Sequence, residues 1–226
     1  MPELARGYWL STVTGRRFAF DAGALCLEFA TTGGKGWRKR WETLHQPADL
    51  AAWAARSRLG AAAALDPGGM RLTPADLAAA SALREAIWHA ATEVALGRRA
   101  RRADLEAINA AAAAPPMVPA FGRSDRQRSW VTPVTGAQLL STVARDAIEL
   151  FTGPHASRIR QCDGPRCSLV FVDTSRPGQR RWCSMERCKN IDKQRALRAR
   201  RRLATEGSPA ADNTGMDPWP VLRPPG

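Results

Sequence analysis

An α+β fold is predicted for this 226-residue chain, with a mainly helical N-terminal domain that carries a small sheet, followed by a compact cysteine-rich module. Three observations support this. Before residue 152, apolar residues recur at three- and four-residue spacing in several capped stretches, which is the periodicity of amphipathic helices. Four of the five cysteines fall in one 27-residue stretch, as Cys162-x4-Cys167-x15-Cys183-x4-Cys188. A strongly basic run follows the last of them. The implied organisation is a helical domain over 1–154, a cysteine module with a basic helix over 155–205, and a Pro-rich tail over 206–226 in which no packed structure is expected.

The N-terminal elements follow in order. Residues 17–30 alternate apolar and polar side chains around a glycine and predict one or two short strands, with Cys26 as a small buried hydrophobe. Residues 33–40 (GGKGWRKR) predict a flexible basic loop; they lack the GK[ST] ending and strand-to-helix context of a phosphate-binding loop. A helix is expected from Pro47 to Leu59, with Leu50, Trp53, Ala54 and Ser57 on one face and Pro47 in the first turn. The clearest helix starts at the N-cap Thr73, with Pro74 first and Asp76 near the positive end of the dipole. It runs through Leu77, Ala80, Leu83, Ile87, Ala91 and Val94 to Gly97. Trp88 and His89 lie within it and are read as structural. Further helices are expected over 103–114, ended by Pro115 and Pro116, and from the cap Thr135 to Phe151; residues 126–132 read as a strand.

Two cysteine pairs at matched short spacing suit a tetrahedral metal site, each knuckle bringing two sulfurs to one ion. The alternatives are a pair of disulfides or four unrelated buried thiols. Disulfides need an oxidising compartment, and residues 1–20 hold Arg6, Arg16 and Arg17 but no continuous apolar core, which predicts a cytoplasmic protein. Four thiolates, Cys162, Cys167, Cys183 and Cys188, close the coordination shell, so the one expected Zn²⁺ is structural. Arg166, Arg180, Arg181, Arg187 and Lys189 would offset its thiolate charge. His155 is close enough to serve as a ligand, but a solvated or capping role is favoured. Strands over 158–161 and 169–173 predict a treble-clef or ribbon-like hairpin, with Gly164 and Pro165 in the first knuckle's tight turn. From Ser184 a helix is expected, with no Pro or Gly before Gly207.

Charge is concentrated in the same region. Residues 158–202 hold 14 Lys/Arg against 4 Asp/Glu, a net +10 of the chain's +13. Such a field attracts polyanions, and nucleic acid is the commonest one in a cell. Lys189, Lys193, Arg195, Arg198, Arg200, Arg201 and Arg202 project from the expected helix, leaving Ile191, Ala196, Leu197 and Leu203 for packing. A helix of that kind fits a major groove about 12 Å across, with Arg180 and Arg181 gripping phosphates from the preceding loop. RNA or an acidic protein is the alternative partner. No paired carboxylates, Ser/His/Asp set or dinucleotide fingerprint occurs, and the three histidines give acid–base chemistry little to work with. No enzymatic activity is expected. No apolar run long enough to span a membrane occurs either.

The segments Phe171–Arg176 (FVDTSR) and Arg180–Met185 (RRWCSM) resemble the core of the CGNR zinc-finger family. That family is named for Cys-Gly-Asn-Arg, where this chain has Cys188, Lys189, Asn190 and Ile191, so two of the four positions depart. Residues 25–32 (LCLEFATT), with Leu44–Pro47, Asp49, Leu50 and Trp53, are similar to the ABATE domain that accompanies this finger. The resemblance implies a bacterial, stress-induced transcription regulator that binds zinc and DNA and associates with the nucleoid. The helical domain would then sense a small molecule, bind a protein partner or form a homodimer. The alternative is a zinc-stabilised adaptor or RNA-binding protein.

Overall fold

The computed structural model describes residues 8–11, 15, 17–124, 126–164, 167–191, 193, 194, 197 and 198. The expected tail over 206–226 lies outside them. Strand β1 (Tyr8–Ser11) pairs antiparallel with β2 (Arg17–Phe20), and Leu10 stands opposite Phe18. The two-residue period of β2 is clean: Phe18 and Phe20 are buried while Arg17 and Ala19 are exposed. Of the one or two short strands expected over 17–30, only β2 forms, because Leu25–Ala30 is a helix, α1. All six of its residues are buried, so no polar face marks a helical period in the sequence. Tertiary support compensates: Asp146 Oδ2 accepts the Cys26 N–H at 2.8 Å. Cys26 is fully buried, as expected.

The expected flexible loop at 33–40 is instead an ordered turn leading into a 3-10 helix, Gly36–Trp41. Its Arg38 is buried, donating to Glu85 Oε2 at 2.5 Å and to the Gly33 carbonyl at 3.0 Å. Glu85 Oε1 also accepts the Lys35 N–H at 3.0 Å. Gly34 makes this possible: at φ 145°, a Cβ on it would fall 2.3 Å from the Arg38 guanidinium carbon. A second clasp lies alongside, where Arg84 donates bidentately to Glu42 at 2.7 and 2.6 Å.

Helix α2 (Pro47–Arg56) starts with Pro47 in its first turn, and Asp49 Oδ2 accepts the His45 and Gln46 N–H groups at 2.9 and 3.0 Å. The single helix expected to Leu59 breaks at Ser57, whose extended backbone and hydroxyl start a short α3 (Arg58–Ala62) by accepting the Leu59 N–H. A two-residue strand β3 (Met70–Arg71) precedes the long α4 (Pro74–Ala95). Thr73 Oγ1 accepts the Asp76 N–H, and Asp76 Oδ2 accepts the Thr73 N–H, a reciprocal cap. Helix α5 (Arg102–Ala112) follows.

Strands β4 (Pro119–Phe121) and β5 (Arg128–Trp130) form an antiparallel pair, so the strand expected over 126–132 is shorter than predicted and has a partner that sequence reasoning did not find. Strand β6 (Val134–Thr135) runs parallel to β3 and leads into α6 (Gly136–Thr152), where Thr135 and Gln138 form a second reciprocal cap. Helices α4, α5 and α6 pack against one another, and α4 and α6 also against α1. Their shared interior holds Leu27, Phe29, Ile87, Ile108, Leu139 and Val143, all essentially inaccessible to water.

The cysteine module joins that core directly. Strands β7 (Ile159–Gln161) and β8 (Val170–Val172) pair antiparallel, with Ile159 opposite Val172, as the sequence predicts. Ile159, Phe171 and Val172 are buried in the same apolar cluster as Leu27 and Ile87, and α4 contacts both strands. Hydrogen bonds fasten the junction, among them Val172 N–H to the Ala22 carbonyl at 2.9 Å and Trp88 Nε1–H to the Ser168 carbonyl at 3.0 Å. Among the described residues, no helix is long and apolar enough to cross a membrane.

Candidate metal centre and adjoining basic surface

The hairpin of β7 and β8 sets the first knuckle at its open end. Cys162 donates its N–H to the Leu169 carbonyl at 2.9 Å, and Cys167 to the Gly164 carbonyl at 3.0 Å; Pro165, expected in the turn between them, lies outside the described residues. The second knuckle is delivered by a turn organised on Asp173, which the sequence reading did not single out. Its Oδ1 accepts the Ser175 N–H and hydroxyl at 2.9 and 2.6 Å, and its Oδ2 accepts the Arg180 N–H at 2.8 Å. Burial alone would raise this carboxyl, but these donors hold it below the usual carboxylate range. The Asp-x-Ser spacing of an Asx-turn was the available signal. Arg158 completes the turn by donating to the carbonyls of Asp173 and Ser175 at 3.0 and 2.9 Å.

All four cysteines predicted as ligands are buried and converge. The sulfurs of Cys162, Cys167, Cys183 and Cys188 lie within 4.8 Å of one another. Cys183 Sγ is 3.8 Å from Cys167 Sγ and 3.4 Å from Cys188 Sγ. A tetrahedral ion with Zn–S bonds of about 2.3 Å places its sulfurs about 3.8 Å apart, so the cluster has the right size. None of the cysteines is disulfide-bonded, which excludes the bridged alternative for these residues. The Cys183 and Gly164 N–H groups point at Cys162 Sγ from 3.2 and 3.4 Å, and donors so placed favour the thiolate.

Sulfurs this close cannot all ionise unaided. Hydrogen bonding with Cys162, Cys183 and Cys188 holds Cys167 far below the ordinary thiol range. The contacts of Cys183 with Cys162, Cys167 and Cys188 push it far above. A dication resolves this conflict by taking all four as thiolates. With no further ligand position, its role is structural.

The cationic residues divide by position. Arg187 brings Nη1 to 3.8 Å from Cys167 Sγ and so offsets the thiolate charge as expected. Arg180, expected to grip phosphates, is half-buried with its guanidinium over the Phe171 ring at 4.1 Å. It donates to the carbonyls of Trp182, Cys183 and Asp21 at 3.1, 2.7 and 3.3 Å, so its donors fix the second knuckle. Arg181 is exposed, paired with Asp163 at 2.7 Å, and lies 4.9 Å above the Trp182 ring. Lys189 Nζ approaches the same ring from 5.8 Å.

The helix expected from Ser184 begins with a widened turn over Met185–Lys189, in which the Ser184 carbonyl accepts the N–H groups of both Cys188 and Lys189. Ser184 starts it without a side-chain cap. Residues 190, 191, 193, 194, 197 and 198 are helical, and Lys193 and Arg198 are exposed. Leu197, expected to pack, is 50% exposed. Arg166, Arg195, Arg200, Arg201 and Arg202 lie outside the described residues. Of the histidines, His45 and His155 are exposed, and His89 Nδ1 lies 3.4 Å from Asp104 Oδ1. Among the described residues, the group of converging ligand atoms holds the four cysteines and no histidine.

Fold and site together define a zinc-binding protein in which a four-cysteine finger is built onto a helical domain, with one zinc ion held by Cys162, Cys167, Cys183 and Cys188. Residues 23–154 match the ABATE family, described as "Putative stress-induced transcription regulator", and residues 158–201 match the CGNR zinc finger. The chain belongs to the ABATE family, carrying the CGNR finger at its C-terminal side. No curated protein matches the chain.

Proposed function

We propose that the protein is a zinc-dependent transcription regulator that binds DNA through its finger and the basic segment beyond it. One observation carries this reading: the metal cluster anchors the start of a helical segment whose Lys193 and Arg198 are exposed, within a stretch of net charge +10. Arg181 and Lys189 flank the Trp182 ring on the adjoining surface, a pairing of cations with an aromatic face that suits a polyanion. Arg180 is left out of the contact set because its donors are already committed to backbone carbonyls. Arg195, Arg200, Arg201 and Arg202 belong to it through sequence position. The reading is non-catalytic, since four thiolates leave the ion no place for water or substrate.

Fluorescence anisotropy on duplex DNA tests the proposal. Each neutralised phosphate contributes about −0.9 to the slope of log K against log salt. Replacing Arg198, Arg201 and Arg202 with alanine is expected to flatten that slope by about 2 to 3. A slope that does not move removes the helix from the interface. A protein-interaction role is the second reading, favoured by Met185 and Leu197, which are 59% and 50% exposed beside the basic side chains. Tighter binding to single-stranded RNA than to duplex DNA would instead point to an RNA partner.

A further inference from the structure

A cavity of about 710 Å³ opens where the helical domain meets the finger. Its volume lies within the range of small-molecule sites, about 300–1,000 Å³. Both units wall it: Trp41, Trp53 and Trp88 contribute from the helical domain, and Leu169 and Arg187 from the finger.

The charges in the wall do not cancel evenly. Five arginines and three carboxylates line the cavity. Each carboxylate already has donors: Glu42 has Arg84, Glu28 has Arg58, and Asp49 has the backbone N–H groups ahead of α2. Arg38 is neutralised by Glu85. Arg187 differs from these. Its guanidinium lies 4.9 Å from the Phe18 ring centre and 5.3 Å from that of Trp41, and only Nη1 is engaged, in the 3.8 Å contact with Cys167 Sγ that offsets thiolate charge. Among the described residues, no carboxylate pairs with it and no oxygen accepts from it. A half-buried guanidinium set among aromatic faces, with donors to spare, fits an anionic group attached to a flat apolar body.

We propose that this cavity is a binding site for a small aromatic anion, its ring held against Trp41 and Trp53 and its acidic group on Arg187. The inference does not depend on DNA binding and stands or falls separately from it. It gives the helical domain a ligand class, and it places that ligand one residue from the zinc ligand Cys188.

The test uses the full-length zinc-loaded protein with 8-anilinonaphthalene-1-sulfonate as an aromatic anion and N-phenyl-1-naphthylamine as its uncharged counterpart. Fluorescence titration and calorimetry read affinity and stoichiometry, and a metal assay confirms zinc content in each variant. The anion is expected to bind at one site per chain, at least tenfold more tightly than the neutral probe. Thr43→Trp, which fills the mouth from an exposed lining position, should weaken it at least tenfold with zinc retained. Arg187→Gln should bring the two probes to similar affinity. Multi-site binding, equal affinity of the two probes for the native protein, or one-site binding unaffected by Thr43→Trp would each overturn the proposal. Should Arg187→Gln lose zinc, the probe ratio in the native protein and the Thr43→Trp variant still decide it.

Discussion

Gly164 has room for a hydrogen and little more. A Cβ there would lie 2.6 Å from Cys188 Sγ and 3.3 Å from Cys162 Sγ, so alanine must push the two sulfurs apart. Gly164→Ala is expected to weaken zinc binding by about 10- to 100-fold, the usual effect of disturbing residues that support metal ligands, as read by chelator competition. Glu28 supplies a second residue-scale expectation. Burial pushes its carboxyl up from 4.5 to about 7, against the lowering effect of Arg58. The folded form therefore holds this proton more tightly than the unfolded chain. Its stabilising contribution is complete below the unfolded value and is lost as pH rises through 7, a difference of about 3 kcal/mol at most. Denaturant titrations between about pH 4.5 and 7 should show the native protein losing stability relative to Glu28→Gln as pH rises. Parallel pH profiles would mean that the Arg58 pair keeps Glu28 ionised throughout. The sulfur quartet was legible from spacing alone, because thiols at x4 intervals have few other uses. Asp173 was not, because its work is done through backbone donors up to seven residues away, and Arg180 misled because a basic side chain in a basic stretch gives no sign that carbonyls will claim it.

Elements with local start signals were read well. Thr73 with Asp76 and Thr135 with Gln138 declare their helices chemically, and both reciprocal caps form. Thr73→Ala should cost about 1 kcal/mol in chemical denaturation through the lost cap, with little change in zinc content. An undiminished stability would mean that tertiary packing alone defines the start of α4. The elements that escaped prediction share a different cause. Helix α1 is buried on every side, so its sequence has no polar stripe. The turn at 33–41 looks like a solvated basic loop until Glu85 and Glu42, far along the chain or across the turn, are brought beside Arg38 and Arg84. The break at Ser57 depends on one hydroxyl preferring a backbone N–H to continued helix, a choice that periodicity does not record.

At the scale of the whole molecule, the finger and the helical domain share one apolar cluster, and metal loss should therefore be felt beyond the finger. Zinc binding supplies folding free energy to small modules of this kind. Calorimetry of the chelated protein is expected to show one transition moved to lower temperature, with the helical domain destabilised as well. A helical-domain transition unchanged by chelator would mean that the two units melt independently. The seam between them also sets a limit on portability. Cut from its neighbour, a 155–205 fragment would turn Ile159, Phe171 and Val172 toward water and leave the Val172 amide without its Ala22 acceptor. This finger is consequently a poor candidate for grafting onto another scaffold, and a fusion that transplants it must carry the opposing wall along.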